Sequence, residues 1–196
     1  MKKILPVHLA GTLPLATEIF EGLAKAGAPH AAIFGGAPRD ALYEAFHHVT
    51  RPIKDYDIRI WTRDDYKATE TALVHALNQQ FGPNTIELAA GTGRPRYMFN
   101  FHGAKLDVSI RPAPDCWKNK NIPLAAVAIE RAGDSDVGIS SVALDPKQNI
   151  WATQDFLADF YQKTLTVYCG PDQDRLKAYS ERMQAKFPNH RLLWQR

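Results

Sequence analysis

Residues 32–61 read AIFGGAPRDALYEAFHHVTRPIKDYDIRIW. An apolar run stops on Gly35-Gly36, Arg39-Asp40 follows, and two aspartates, Asp55 and Asp57, flank Tyr56. A strand that ends on two glycines and turns straight into a helix leaves unpaired N–H groups at the positive end of the helix dipole, which suits a phosphate. Glycine also lets the backbone approach an anion that a side chain would block. Pro38 fits the first helical turn, where a missing N–H does no harm. Arg39 adds a planar fork of donors matched to phosphate oxygens. Asp40 is placed either to hold Arg39 or to favour the helix N-terminus. The same string also suits a helix start that only needs tight strand packing.

The second half of the stretch sharpens this reading. In DYDIRI the side chains of Asp55 and Asp57 leave the strand on one face, about 6.5 to 7 Å apart. Two carboxylates so placed repel unless a cation lies between them, and Mg²⁺ prefers such oxygens. The spacing suits two ions roughly 3.5 to 4 Å apart, which would activate an attacking hydroxyl and stabilise a leaving pyrophosphate. Asp107, in KLDVSIR, is the candidate third carboxylate, because Leu106, Val108 and Ile110 share the opposite face of their strand. The alternative for a DxD alone is a solvent-facing strand pair.

Working outward, residues 13–26 carry Leu15, Ile19, Leu23 and Ala26 at helical spacing, with Thr12 as the expected cap and Gly27 as the stop. Residues 31–34 form a short buried strand, 38–46 a helix, 55–61 a strand and 64–81 a helix. TIELAA, RYMFNF and KLDVSIR read as three strands joined by glycine-containing turns. Residues 112–135 carry the weakest pattern, 137–144 suit either a strand or a short helix, 155–162 a helix, 164–168 a strand, and 173–187 a final amphipathic helix. Strands gathered in the middle with helices around them predict an α/β (mixed α+β) domain. Its mixed, mostly antiparallel sheet is covered more on one side than the other.

At 196 residues and 45% hydrophobic content the chain is expected to form one globular domain. Its start, MKKILPVHLAGTLPLATEIF, breaks its apolar run with Pro6, His8, Gly11 and Pro14, so no membrane span is expected and a cytoplasmic location is. Cys116 and Cys169 lie far apart without a CxxC, which indicates neither a disulfide framework nor zinc. The balance of 24 Lys+Arg against 21 Asp+Glu does not by itself announce a nucleic-acid binder. From Pro171 onward, however, six basic residues stand against three acidic ones, so that end accounts for the net charge of +3. A solvated helix face is the plain reading of that surplus. Ser140-Ser141, His47-His48 and Asp155 make no recognisable nucleophile set. Tyr43, Phe46, Trp61, Tyr97, Phe99 and Phe101 suit core packing better than base stacking.

Gly35, Gly36, Arg39, Asp40, Asp55 and Asp57 resemble, residue by residue, the Gly-Gly-x-x-Arg-Asp and Asp-x-Asp signature of the head domain of class II tRNA nucleotidyltransferases and bacterial poly(A) polymerases. That family lies within the DNA polymerase β-type nucleotidyltransferase superfamily. Asp107 and Arg111 resemble its third carboxylate and the Arg that follows it. SDVGISSVALD is similar in hydrophobic frame to a later family segment; Asp136 and Ile139 match, while Ser135 replaces an Arg and Ser140 an Asn. Arg111 or Arg131 is the alternative to the Arg lost at Ser135. QDRLK resembles the base-reading element, with Asp174 and Lys177 at the right spacing and Gln173 in place of Glu.

The resemblance implies a nucleotidyltransferase fold over a single head-like domain, two Mg²⁺ ions on Asp55, Asp57 and Asp107, and an NTP substrate. It implies nucleotide contacts from Gly35, Gly36, Arg39, Asp40, Arg111, Asp136, Asp174 and Lys177. The reaction it implies moves a nucleoside monophosphate to a hydroxyl acceptor, an RNA 3′ end, with release of pyrophosphate. The family's RNA-gripping helical modules find no counterpart in these 196 residues, so a partner subunit, a smaller acceptor or the basic terminal helix is expected to supply acceptor recognition. The alternative is a non-catalytic nucleotide- or RNA-binding module that retains the fold, a reading favoured by the altered 135–141 segment.

Overall fold

The computed structural model describes residues 2–4, 13–62, 66–89, 94–115, 123–168 and 172–195. Cys116, Cys169, Thr12 and the glycine turn at 91–93 lie outside them. An eight-stranded sheet runs in the order β1 (Lys2–Ile4), β8 (Ile150–Ala152), β7 (Val142–Leu144), β2 (Ala31–Phe34), β3 (Asp55–Thr62), β6 (Ala104–Pro112), β5 (Pro95–Phe101) and β4 (Thr85–Leu88). Every neighbouring pair is antiparallel except β3 and β6. That parallel pair needs a crossover, and α3 (Tyr66–Phe81) lies within it.

Period-two alternation decides the two faces of the sheet. Tyr56, Ile58 and Ile60 of β3, and Leu106, Val108 and Ile110 of β6, all point to one side and are fully buried there. They pack against α1 (Ala16–Lys25), α2 (Gly36–His47) and α3 through Ile19, Leu23, Leu42, Leu73 and Leu77. The opposite face carries a much smaller apolar cluster, in which α4 (Ala126–Gly133) lays Val127, Ala128 and Ala132 over Ala32, Trp61 and Ala143. Helix α4 therefore covers the β2 side of that face and leaves the β3–β6–β5 part open to polar residues.

The remaining elements form a second layer of contacts beside β2. A 3-10 turn at Gly138–Ser140 leads into β7, so the stretch 137–144 is both a helical turn and a strand. Helix α5 (Gln154–Gln162) and β9 (Thr164–Tyr168) follow, then α6 (Gln173–Lys186) and β10 (Arg191–Gln195), which pairs parallel with β9. The fully buried Asp159 ties this region together: Thr164 Oγ1, Thr166 Oγ1 and the Thr166 amide all donate to its carboxylate.

Three sequence expectations shift. Helix α1 starts at Ala16, not at residue 13, because Leu15 takes a left-handed φ of 64°. The weakly patterned 112–135 stretch contains α4, whose alanines suit close packing on a sheet better than they mark a periodic stripe. Strands β8 and β10 are too short, at three and five residues, to show alternation. No helix among the described residues is long and apolar enough to cross a membrane.

Candidate functional site

The open face of the sheet collects the polar half of three strands. On β3, Asp55, Asp57 and Arg59 alternate with the buried residues, and on β6 Asp107 and Ser109 do the same. The parallel register sets Asp57 opposite Asp107. Two carboxylates on neighbouring strands at matching positions repel. Arg96 of β5 answers this: its Nε donates to Asp107 Oδ1 at 2.9 Å, its Nη2 forms an ion pair with Asp107 Oδ2, and Nη2 lies 4.0 Å from Asp57 Oδ1. Asp57 is recessed in the cleft yet keeps 42% of its side-chain surface accessible. Burial pushes its carboxyl above the ordinary value; Arg96 opposes the rise and Asp55 adds to it.

Gly35 and Gly36 stand beside this pair. Gly35 donates its N–H to Val142 O at 3.0 Å, ends β2 and begins α2 with φ 72° and ψ −116°, a conformation that favours glycine. A Cβ at Gly35 would sit 3.5 Å from Asp57 Oδ2. The turn and the carboxylate thus lie side by side on one cavity, and the first turn of α2 opens onto the same cleft. Three cavities meet there, and Asp57 lines all of them. One of about 410 Å³ runs past Gly36, Lys54, Asp55, Arg182 and Lys186. A small one of about 150 Å³ lies between Gly35-Gly36, Ser135, Asp136 and Tyr179. The third, about 470 Å³, runs over Asp107 and is lined by Arg59, Arg96, Arg111, Arg131 and Arg175.

The third cavity is crowded with positive charge. The Arg59 guanidinium is pulled down to about 10, first by burial and then by Arg131, with Arg111 adding to it. Arg131 stacks on Phe34 at 4.2 Å, pairs with Asp134, and keeps its Nε buried without a hydrogen-bond partner. Such a cavity suits an anion with several oxygens, which could use donors the protein leaves free.

Arg39 and Asp40, expected at the phosphates, form a buried network. Arg39 Nε and Nη2 donate to the two oxygens of Asp40 at 2.9 and 3.2 Å, and Nη1 donates to Ser140 Oγ at 3.1 Å. Lys186 Nζ reaches Asp40 Oδ2 at 2.6 Å. Burial alone would raise the Asp40 carboxyl; Arg39, then Lys186, hold it below its ordinary range. Lys186 is itself pulled below the usual ammonium value, by burial first and then by Arg39. Arg39, with two bonds to the carboxylate, is the cation that holds Asp40. Asp40 thus takes the role of partner to Arg39, and both line the cavity beside Gly36.

The other expected residues separate into two groups. Arg111 lines the third cavity and donates Nη1 to Ile110 O at 2.9 Å. Asp136 borders the cleft and accepts both Nη1 and Nη2 of Arg175, at 2.9 and 3.1 Å. Asp174 and Lys177 are exposed on α6 and line none of these three cavities. Helix α6 buries Leu176, Ser180 and Met183. The flank that meets the cleft is therefore Arg175, Tyr179, Arg182 and Lys186, at positions i, i+4, i+7 and i+11. That spacing was readable in the basic terminal helix, and it separates this stripe from the solvated face.

The donor set fits a divalent cation in kind: carboxylate oxygens of Asp57 and Asp107 face each other, with Asp55 two residues away on the same strand face. The position between Asp57 and Asp107 carries the Arg96 guanidinium, and Asp55 is exposed. Accordingly, no group of three or more His, Cys, Asp or Glu among the described residues is drawn close enough to hold a metal.

No protein-family model and no curated protein matches the sequence. Among solved structures, the chain is similar to the complex of a CCA-adding enzyme with CTP, at TM-score 0.51 and 17% identity, over 81% of this chain and 35% of that one. It is also similar to the Bacillus stearothermophilus CCA-adding enzyme in complex with CTP, at TM-score 0.51 and 17% identity, over 89% of this chain and 38% of that one. The chain thus spans a little over a third of the length of these structures. The likeness is one of fold: a mixed, mostly antiparallel nucleotidyltransferase sheet flanked by helices.

Proposed function

We propose that the chain is a metal-dependent nucleotidyltransferase, a single head-like domain acting in the cytoplasm, that moves a nucleoside monophosphate from an NTP to the 3′ hydroxyl of an RNA and releases pyrophosphate. One observation carries the reading: the Gly35-Gly36 turn and Asp57 line the same cavity, and Asp57 is the register partner of Asp107 on the neighbouring strand. A phosphate cradle and paired carboxylates therefore share one cleft. Both similar solved structures hold CTP.

In this reading the amides of the first α2 turn receive the triphosphate, because Gly36 and Ala37 line the cleft without a side chain to obstruct it. Lys54, Arg182 and Lys186 supply cations along the same wall, and Arg111, Arg131 and Arg175 supply them on the far side of Asp57. Asp55, Asp57 and Asp107 would hold Mg²⁺, which supplies Lewis-acid activation of the acceptor hydroxyl and neutralises charge on the leaving pyrophosphate. Helix α6 contacts the base: its Arg175–Asp136 pair presents donors and acceptors at the cleft rim, with Asp174 and Lys177 beside it. A partner subunit that supplies part of the acceptor grip is compatible with this arrangement.

The Arg96 guanidinium on Asp107 supports a second reading, a binding module whose carboxylates are neutralised by the protein itself. Incubation with Mg²⁺, each labelled NTP and total RNA separates the two. Transfer to RNA that is lost in Asp57→Asn supports the enzyme. NTP binding without any transfer supports the module.

A further inference from the structure

The cleft carries a cation of its own. Met98 is the register partner of Asp107, and Arg96 lies two residues along β5 on the same face, diagonal to it. From there one guanidinium spans both strands: Nε and Nη2 engage the two oxygens of Asp107, and Nη2 lies 4.0 Å from Asp57 Oδ1. The two partners differ in freedom. The Asp107 side chain is 10% exposed and that of Arg96 is 37% exposed, so the arginine can leave and the aspartate cannot. Arg96, Asp57 and Asp107 together line the cavity of about 470 Å³ that also holds Arg59, Arg111, Arg131 and Arg175.

We infer that Arg96 is the resident counter-ion of the Asp57–Asp107 pair and competes with a divalent cation for it, so that cation binding and release of Arg96 from the carboxylates are one event. The inference rests on the proposed function, since it takes these carboxylates to be the cation's ligands. A guanidinium and a divalent cation drawn to the same two carboxylates repel each other, so binding one weakens the hold on the other. Once released, the Arg96 fork is free to donate to phosphate oxygens in the cavity it lines. Arg96 is thus a positioning residue that couples cation occupancy to anion binding.

The test uses Mn²⁺ alone as probe, with the nucleotide-free full chain, and counts free Mn²⁺ by its spin-resonance signal. Arg96→Gln is expected to bind Mn²⁺ about tenfold more tightly than the unsubstituted protein, because the competing charge is gone. Arg96→Lys, which keeps a cation but loses the fork that spans both aspartates, is expected to fall between the two and serves should Arg96→Gln fail to fold. Asp57→Asn is the control that reports whether the bound Mn²⁺ lies at these carboxylates. Equal Mn²⁺ affinity in Arg96→Gln, Arg96→Lys and the unsubstituted protein, with affinity lowered by Asp57→Asn, overturns the inference and leaves the proposed function standing. Mn²⁺ binding indifferent to Asp57→Asn overturns both.

Discussion

Arg39 and Arg96 each engage an aspartate beside a cavity that Asp57 lines, yet they are built oppositely. Arg39 is 4% exposed, spends its fork on Asp40 and Ser140, and lies over the Phe187 ring at 5.3 Å. It joins α2 to the 3-10 turn and to α6, and so fixes where the glycine turn points. Arg96 is half-buried and lines the cavity that runs over Asp107. A guanidinium whose donors all end on buried protein atoms is part of the scaffold, because removing it strands a charge. One that bridges carboxylates at a cleft mouth can be exchanged, because water can take its place.

The largest expected effect tests the carboxylate region. Asp57→Asn should lower transfer by at least about a thousandfold, about 4 kcal/mol of barrier, while the melting temperature stays within about 2 °C. Activity within tenfold of the unsubstituted protein would remove Asp57 from the chemistry. Next come the two arginines. Arg39→Met leaves Asp40 buried without its main cation and should cost about 3–5 kcal/mol in urea unfolding. Arg96→Gln should cost less, because the 37% exposed Arg96 side chain lies where water can enter and solvate Asp107. Equal costs would erase the distinction between scaffold and exchangeable cation.

Gly35→Ala sharpens the comparison at the turn between the two regions. The added Cβ would meet Asp57 Oδ2 at an ordinary contact distance of 3.5 Å, so the cost is the backbone pair φ 72°, ψ −116°, which lies outside the left-handed helical well and suits glycine, about 3 kcal/mol of stability. A loss far above that would point to a steric clash the geometry does not contain. The smallest effect is a pH dependence. The Asp40 carboxyl is held below its ordinary 3.8 in the folded protein. Its stabilising contribution is therefore fully present above the unfolded value and is lost as pH falls through the folded one. The melting-temperature gap between the unsubstituted protein and Asp40→Asn should stay constant from neutral pH to about 5 and narrow below about 3.8. A gap that widens in acid would show that Asp40 is not held as an anion.

Much of the carboxylate region was legible along the chain. The apolar alternation of Leu106, Val108 and Ile110 placed Asp107 on the polar face of its strand, and the same rule put Asp55 and Asp57 together on theirs. Arg96 was not legible as their partner. In the chain it follows a glycine-containing turn and starts the RYMFNF strand, and only the β5–β6 register brings it diagonal to Asp107. The burial of Arg39 was equally hidden, since its partners Ser140 and Met183 stand 101 and 144 residues away. On α6, spacing pointed to Asp174 and Lys177, whereas the helix docks through Leu176, Ser180 and Met183 and turns Arg175 and Arg182 to the cleft.

What the amino-acid order determined by itself was therefore local: the glycine turn after β2, the period-two faces of β3 and β6, the helices, and the mixed sheet they add up to. These follow from backbone sterics and from the side-chain period, which act over a few residues. Tertiary structure alone decided which charges meet. Arg39 became scaffold and Arg96 became the neighbour of the carboxylates because strand register and helix docking juxtapose groups far apart in the chain. A guanidinium's role is set by the burial and partners it finds there, which no local spacing encodes.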